Sequence, residues 1–185
     1  GAYFAALLTS VLGNQPKMAE YTAECGKYGI KVLPPDINES QMDFHATKTG
    51  RGGHIRYGLL ALKNVGEAFL RAILNERRRK PFTSFEDFLD RLSGHDLNKR
   101  QVEALIKAGA FDSLPNHRAQ LLAVFETMMD TLAAKNRANL AGQMDMFSMA
   151  MPMQESRDVA GFDYPDLPDY TVKEKLMQEK EAAGM

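Results

Sequence analysis

The sequence predicts a mainly α-helical protein in which short helices are joined by tight turns, together with a small β-hairpin and a flexible C-terminal linker. Up to Ala134, apolar residues recur at helical spacing in a series of short segments. Glycine or proline follows most of these segments and ends them. From residue 135 to 169 this period is lost and the chain becomes rich in Met, Asp and Pro, which is typical of a linker.

Two helices and one hairpin are expected in the first third of the chain. The Ala- and Leu-rich segment 2–12 ends at Gly13, and Asn14 caps a second helix that ends near Tyr28. The following IKVLPPDINES is expected to be extended, because helical geometry is disfavoured for a residue that precedes proline. DFHAT and HIRYGL alternate polar and apolar residues on either side of KTGRGG, which predicts the hairpin.

A cluster of helices is expected in the centre of the chain. Residues 59–63 and 67–79 have helical spacing and are separated by a glycine turn. The second piece places Phe69, Leu70 and Ile73 on its inner face. The predicted caps of the next helices are Thr83 or Ser84, Asn98 and Asn116. The last of these helices is expected to run to about Ala134, and a further helix starts at Thr171.

The composition excludes several classes of protein. Cys25 is the only cysteine, so an intrachain disulfide is excluded and a reducing, cytoplasmic location is expected. No stretch of roughly 18 consecutive apolar residues is present, so no membrane span is expected. The histidines His45, His54, His95 and His117 lack metal-ligand spacing, and no phosphate-binding loop is found. The sequence therefore predicts neither a catalytic site nor a metal site.

Charge is unevenly distributed along the chain, although the formal net charge is −1. Residues 51–80 carry eight basic and two acidic side chains, a local charge of +6. Residues 154–185 carry eight acidic and four basic side chains, a local charge of −4. The basic centre favours a polyanion and the acidic tail favours a different neighbour, but solvated helix faces would give the same pattern.

The sequence KNVGE forms a glycine turn between two apolar helical pieces, as in a helix-hairpin-helix. Backbone N–H groups at the start of the second helix have no partner within that helix, and the helix dipole favours an anion there. Glycine lets a nucleic-acid backbone approach closely. The residues predicted to contact DNA at this first turn are Lys63, Asn64, Val65, Gly66, Glu67 and Arg71. An ordinary capping turn would have the same pattern.

The sequence LIKAGAF places a second glycine turn between apolar helices, which makes a tandem arrangement. Two such turns favour salt-sensitive binding to the sugar–phosphate backbone without readout of the bases. The residues predicted to contact DNA here are Lys99, Arg100, Lys107, Gly109 and Arg118. Two glycine C-caps are the alternative interpretation.

The sequence QMDMF places large apolar side chains in a stretch that has no helical or strand period. An extended peptide with an amide at one end and two large apolar side chains at the other suits a shallow groove on a partner protein. Methionine adapts to such a groove and phenylalanine supplies most of the buried area. The predicted contact residues are Gln143, Met144, Asp145, Met146 and Phe147. Loose packing on the chain's own surface is the alternative.

Longer stretches of the sequence are similar to one family. YGIKVLPPDINES, IRYGLLALKNVGEAFLRAILNER, FTSFEDFLDRL, LNKRQVEALIKAGAFDSL, NHRAQLL and GQMDMF resemble, in this order, the alpha subunit of bacterial DNA polymerase III, a replicative C-family polymerase. The resemblance implies that residues 1–28 are the end of a fingers domain and 29–134 a helix-hairpin-helix region that binds duplex DNA. It further implies that 135–169 are a linker with a sliding-clamp-binding motif and 170–185 the start of an OB-fold domain.

The same resemblance implies a non-catalytic role. The family adds nucleotides with palm-domain aspartates that hold Mg²⁺ ions, and no part of this sequence resembles the palm or the PHP domain. The chain is expected to need no cofactor and to be inactive alone. It would hold the polymerase on double-stranded DNA and on the sliding clamp, with other holoenzyme subunits as partners through the rest of the polymerase. A stand-alone DNA-repair module and a protein-interaction scaffold are the alternatives.

The first turn departs from the strongest form of the motif, which would read GVG where this chain has NVG. Asn64 tolerates left-handed backbone geometry, so the turn can form. A weaker or purely structural contact at Asn64 is therefore left open.

Overall fold

The computed structural model describes residues 1–49, 52–146 and 162–184, and helices dominate it. In chain order the elements are α1 (Ala2–Ser10), α2 (Gln15–Lys27), β1 (Val32–Leu33), β2 (His45–Thr49), β3 (Gly52–Arg56), a 3-10 helix (Leu59–Ala61), α3 (Glu67–Arg79), α4 (Phe85–Leu92), α5 (Lys99–Lys107), α6 (Arg118–Met146) and α7 (Val172–Ala183). The predicted mainly helical fold with a small hairpin is confirmed.

The hairpin is part of a three-stranded sheet with the order β1-β3-β2. β2 and β3 are antiparallel, with His45 opposite Arg56. β1 adds a short parallel partner, with Val32 opposite Ile55. The sequence predicts β1 only as extended chain, because a two-residue parallel strand has too few residues to show a period.

The core is centred on Phe88 of α4. Its ring lies 4.9–6.4 Å, centroid to centroid, from four other phenylalanine rings, which are those of Phe69, Phe82, Phe85 and Phe111. All five are buried, and each such side chain stabilises the fold by about 1.5–3 kcal/mol. The cluster joins α3 and α4 to the segment that follows α5, and so both glycine turns border the same core.

The helix caps largely follow the sequence. Asn14, Ser84 and Asn98 each accept a hydrogen bond from the backbone N–H three residues later. For α6 the predicted cap, Asn116, is wrong. His117 takes that position, because its Nδ1 accepts from the Gln120 N–H at 3.4 Å.

α6 extends beyond its predicted end near Ala134 and runs to Met146. The prediction followed the apolar stripe, which ends there because residues 133–135 are exposed. The chain beyond it, AKNRANLAGQ, is rich in residues with high helix propensity, and these continue a helix without an apolar face to bury.

The C-terminal segment returns to the helical body. The Tyr164 hydroxyl donates to Glu86 at 2.6 Å, and the Gln120 side chain donates to the Pro165 carbonyl at 3.2 Å. α7 then packs against α5. Within the described ranges, none of the helices is both long enough and apolar enough to cross a lipid bilayer.

Candidate nucleic-acid interface

The first turn connects the 3-10 helix to α3. The piece before the turn was expected to be α-helical, but it forms a single 3-10 turn at Leu59–Ala61. Asn64 has a φ of 62°, in the left-handed region that asparagine tolerates better than most residues. The chain therefore reverses at Lys63–Asn64, and Gly66 becomes the N-cap of α3.

The backbone N–H groups of residues 66–69 have no hydrogen-bond partner among the residues that the structure describes. The N-cap Gly66 has no side chain to accept from them. By contrast, a side chain caps the N-terminus of α2, α4, α5 and α7. Gly66, Glu67 and Ala68 are exposed residues, and they lie at the positive end of the α3 dipole. That is the geometry of an anion-binding site.

Gly66 is not required by the packing of this chain. Its φ is −74°, which any residue can adopt. A Cβ built there would have Gln101 Nε2, at 3.9 Å, as its nearest neighbour. The missing side chain therefore leaves space on the outer surface of the turn, where a phosphate strand would have to approach.

Basic side chains surround the first turn. Lys63 is exposed and has no ion-pair partner within the described ranges. Arg71 pairs with Glu67 at 2.6 Å, and their side chains are 68% and 56% exposed, so solvent weakens this pair. Arg100 of α5 lines a shallow groove together with Asn64, which brings a residue from the second predicted set next to the first turn.

The second turn is buried, and its N–H groups are used inside the protein. Gly109 has a φ of 82°, and its N–H donates to the Ile106 carbonyl at 2.9 Å. The Ala110 N–H donates to the Leu105 carbonyl at 3.0 Å. This is the left-handed glycine C-cap, the alternative interpretation of the sequence. The prediction that this turn presents N–H groups to a phosphate is wrong in the described structure.

Arg118 is a structural residue and not a surface cation. Its side chain is 3% exposed and binds Asp112 at 2.7 Å and Glu179 at 2.5 Å. Burial opposes its charge, but the hydrogen bonds that it donates to Asp112 and Glu179 outweigh burial and raise the pKa of the guanidinium. A Cβ at Gly109 would lie 2.3 Å from Arg118 Nη2. The predicted phosphate contact of Arg118 is therefore excluded by its burial.

The two predicted lysines of α5 are neutralised by acids of the same chain. Lys99 lies 2.9 Å from Asp130, whose hydrogen bond raises the pKa of the lysine. Lys107 lies 2.9 Å from Glu181, and this hydrogen bond and that of Glu103 raise its pKa. Of the three basic residues predicted on α5, only Arg100 lacks an ion-pair partner within the described part of the chain.

A family profile described as helix-hairpin-helix motif matches residues 29–121, which include both turns. The chain belongs to the helix-hairpin-helix family. It is also 39% identical to the DNA polymerase III subunit alpha of Mycobacterium leprae, over 100% of this chain and 15% of that protein. The corresponding subunit of Saccharopolyspora erythraea is 41% identical, over 99% of this chain and 15% of the relative.

Similarity of this kind extends to Thermus aquaticus, whose DNA polymerase III subunit alpha is 39% identical over 99% of this chain and 14% of its own length. The resemblance to the alpha subunit is thereby confirmed. The chain spans about 15% of the length of the curated relatives it matches.

Part of the QMDMF prediction lies outside the described residues of this helix-hairpin-helix protein. Gln143, Met144, Asp145 and Met146 are the last residues of α6, so their backbone is helical where an extended peptide was expected. Phe147 lies outside the described residues. Binding of a sliding clamp by this motif stays a prediction.

One contributor to the first turn was missed by sequence reasoning. The Lys63 N–H donates to the Ala182 carbonyl at the end of α7, at 2.9 Å. No local pattern could indicate this contact, since a backbone carbonyl has no sequence signature and the two residues lie far apart in the chain. Among the described residues, no group of three or more His, Cys, Asp or Glu side chains could hold a metal ion.

Proposed function

We propose that this chain is a non-catalytic region of a bacterial DNA polymerase III alpha subunit, and that its first turn binds a backbone phosphate of duplex DNA. The observation that carries the proposal is the row of free N–H groups at residues 66–69, most of which are exposed residues. It occurs in a helix-hairpin-helix chain that is similar over its whole length to polymerase subunits. This similarity favours a region of a polymerase over a stand-alone repair protein.

Side chains add charge around this phosphate site. Lys63 and Arg100 are exposed and would release counterions from the DNA on binding. Arg71 contributes once a phosphate replaces Glu67 as its partner. Because these groups contact phosphates and not base edges, binding is independent of sequence and falls steeply with salt.

We further propose that residues 143–147 bind the sliding clamp. Gln143 would hydrogen-bond at the edge of a groove, and Met146 and Phe147 would fill its apolar part. A polymerase held on a ring that encircles DNA meets its substrate at high effective concentration, so two modest contacts suffice for processive synthesis. We assign nucleotide addition and the Mg²⁺ ions that it needs to the rest of the polymerase, which we place in the cytoplasm. The contacts with other holoenzyme subunits are also made by that part.

Duplex binding tests the first part of this proposal. Fluorescence anisotropy of a labelled duplex is measured at several salt concentrations with the chain and with Lys63→Ala. We expect the affinity to fall with salt. Lys63→Ala should make the slope of log K against log salt shallower, by the amount that corresponds to about one lost phosphate contact. Lys17→Ala, an exposed lysine of α2, is the control. Absence of duplex binding at low salt would refute the proposal.

Clamp binding is tested separately. Phe147→Ala is expected to abolish binding of the chain to an immobilised bacterial sliding clamp, because the side chain that supplies most of the buried area is lost. Duplex affinity should stay unchanged. Met153→Ala, which removes a large apolar side chain outside the motif, is the matched control. Equal clamp affinity of the Phe147 variant and the unaltered chain would remove residues 143–147 from the interface.

A further inference from the structure

The C-terminal helix α7 contacts the chain where it enters the first turn. The Lys63 N–H donates to the Ala182 carbonyl at 2.9 Å, and the Tyr57 hydroxyl donates to the Ala183 carbonyl at 2.7 Å. Both carbonyls belong to the last turn of α7, whose acceptors have no partner within the helix. The end of α7 therefore holds Lys63 in place, and the free N–H groups of residues 66–69 follow three residues later.

Polar contacts hold α7 on the protein more than apolar burial does. The buried residues of α7 are Ala182 and Ala183, which have the smallest apolar side chains. Its large apolar residues Val172, Leu176 and Met177 are exposed. Since burial of two methyl groups stabilises little, charged and polar groups must supply most of the attachment.

Arg118 supplies the central contact with α7. Its guanidinium donates to the Glu179 carboxylate at 2.5 Å and to the Lys175 carbonyl at 3.4 Å, one helical turn apart. The same group donates to Asp112 at 2.7 Å and to the Lys107 carbonyl at 3.3 Å. One buried cation thus joins α7 to the second turn and to the end of α5.

This attachment depends on the charge of Glu179. A buried guanidinium is destabilised by the loss of an acidic partner, and Arg118 would then have Asp112 as its remaining acidic partner. Glutamine at position 179 would keep the shape of the side chain and remove its charge. α7 would then be held less firmly, and the hydrogen bond between Lys63 and Ala182 would open more often.

We propose that Arg118 and Glu179 are positioning residues for phosphate binding. They hold α7 in place, and the Ala182 carbonyl at its end holds Lys63 and the first turn in the geometry that binds DNA. This inference rests on the phosphate-binding function proposed above. The buried second turn takes part as well, because Asp112 binds the same Arg118 guanidinium as Glu179.

The test compares Glu179→Gln with Asp166→Asn in duplex-binding titrations of the whole chain. Both variants remove one negative charge, and Asp166 is exposed without a partner among the described residues. Electrostatics alone predicts equal or tighter DNA binding for both. Loss of positioning predicts that Glu179→Gln binds about fivefold more weakly. Its salt slope should be unchanged, because no phosphate-contacting cation is removed.

Amide hydrogen exchange of Lys63 provides the second readout. In Glu179→Gln the Lys63 N–H should exchange faster, while the Leu105 N–H in the core keeps its rate. Affinity equal to that of the unaltered chain would overturn the inference, even with faster exchange, since the contact would then be only structural. An unchanged exchange rate would also overturn it. If the unaltered chain binds no duplex, the proposed function fails first and the inference falls with it.

Discussion

The two glycine turns of this chain have the same sequence pattern and opposite surroundings. In the first turn, the N–H groups of residues 66–69 are free within the described structure, and residues 66–68 are exposed. In the second, Gly109 is buried, and its N–H and that of Ala110 are bonded to carbonyls of α5. A glycine turn between two helices therefore does not make a phosphate site. Whether such a turn can bind phosphate depends on whether other parts of the chain cover it.

The structural reason for a glycine differs between the two turns. Gly109 needs a positive φ and leaves room for the Arg118 guanidinium. Gly66 has an ordinary φ, and among the described residues the nearest atom to a Cβ built there is Gln101 Nε2 at 3.9 Å. The first turn is uncovered within the described structure, whereas the second is part of the internal packing of α5, α6 and α7. Substitutions at the two glycines should consequently act on different properties.

The largest effect is expected for Gly109→Ala. An alanine would be strained at a φ of 82° and its Cβ would lie 2.3 Å from Arg118 Nη2. The free energy of unfolding should fall by about 2–4 kcal/mol, as measured by urea denaturation. Gly94→Ala is the control, because no described residue comes within 4 Å of a Cβ built at Gly94. A Gly109 variant as stable as the control would mean that the second turn is not tightly packed.

The next effect concerns Gly66→Ala. The protein has room for this Cβ, so stability should change by less than about 0.5 kcal/mol. Duplex affinity should fall about tenfold, roughly 1.4 kcal/mol, because the methyl group obstructs the approach of the phosphate strand. Anisotropy titration and urea denaturation of the same sample separate the two quantities. Undiminished duplex affinity would show that DNA does not come close to this turn.

The smallest effect distinguishes two adjacent cations of α5. Arg100→Ala should weaken duplex binding about threefold and lower the salt slope, because Arg100 is exposed beside Asn64. Lys99→Ala should change neither, because Asp130 and Glu126 already pair with Lys99. The comparison is made by salt titration of both variants. Equal losses would mean that local ion pairing does not decide which cations reach DNA.

Much of the fold could be predicted from the sequence because its signals are local. Helical spacing placed Phe69, Leu70 and Ile73 in the core, and all three are buried. Capping chemistry placed the start of α5 at Asn98. The same local rules failed at the end of α6, where the helix continues without an apolar stripe.

The exposure of each turn could not be predicted, because it depends on contacts between distant segments. Arg118 looks like a surface cation in sequence, yet Glu179 and Asp112 enclose it. Lys107 is neutralised by Glu181 of α7. A local pattern thus located both turns correctly but could not show which one faces solvent.

The most direct test is an NMR titration of the ¹⁵N-labelled chain with a short DNA duplex at low salt. If the first turn binds phosphate through its free N–H groups, the amide signals of residues 66–69 shift most, and those of residues 108–112 stay in place. Raising the salt concentration should reverse the shifts. Shifts centred on residues 108–112, or spread evenly over the basic surface with none at 66–69, would contradict the assignment of the interface.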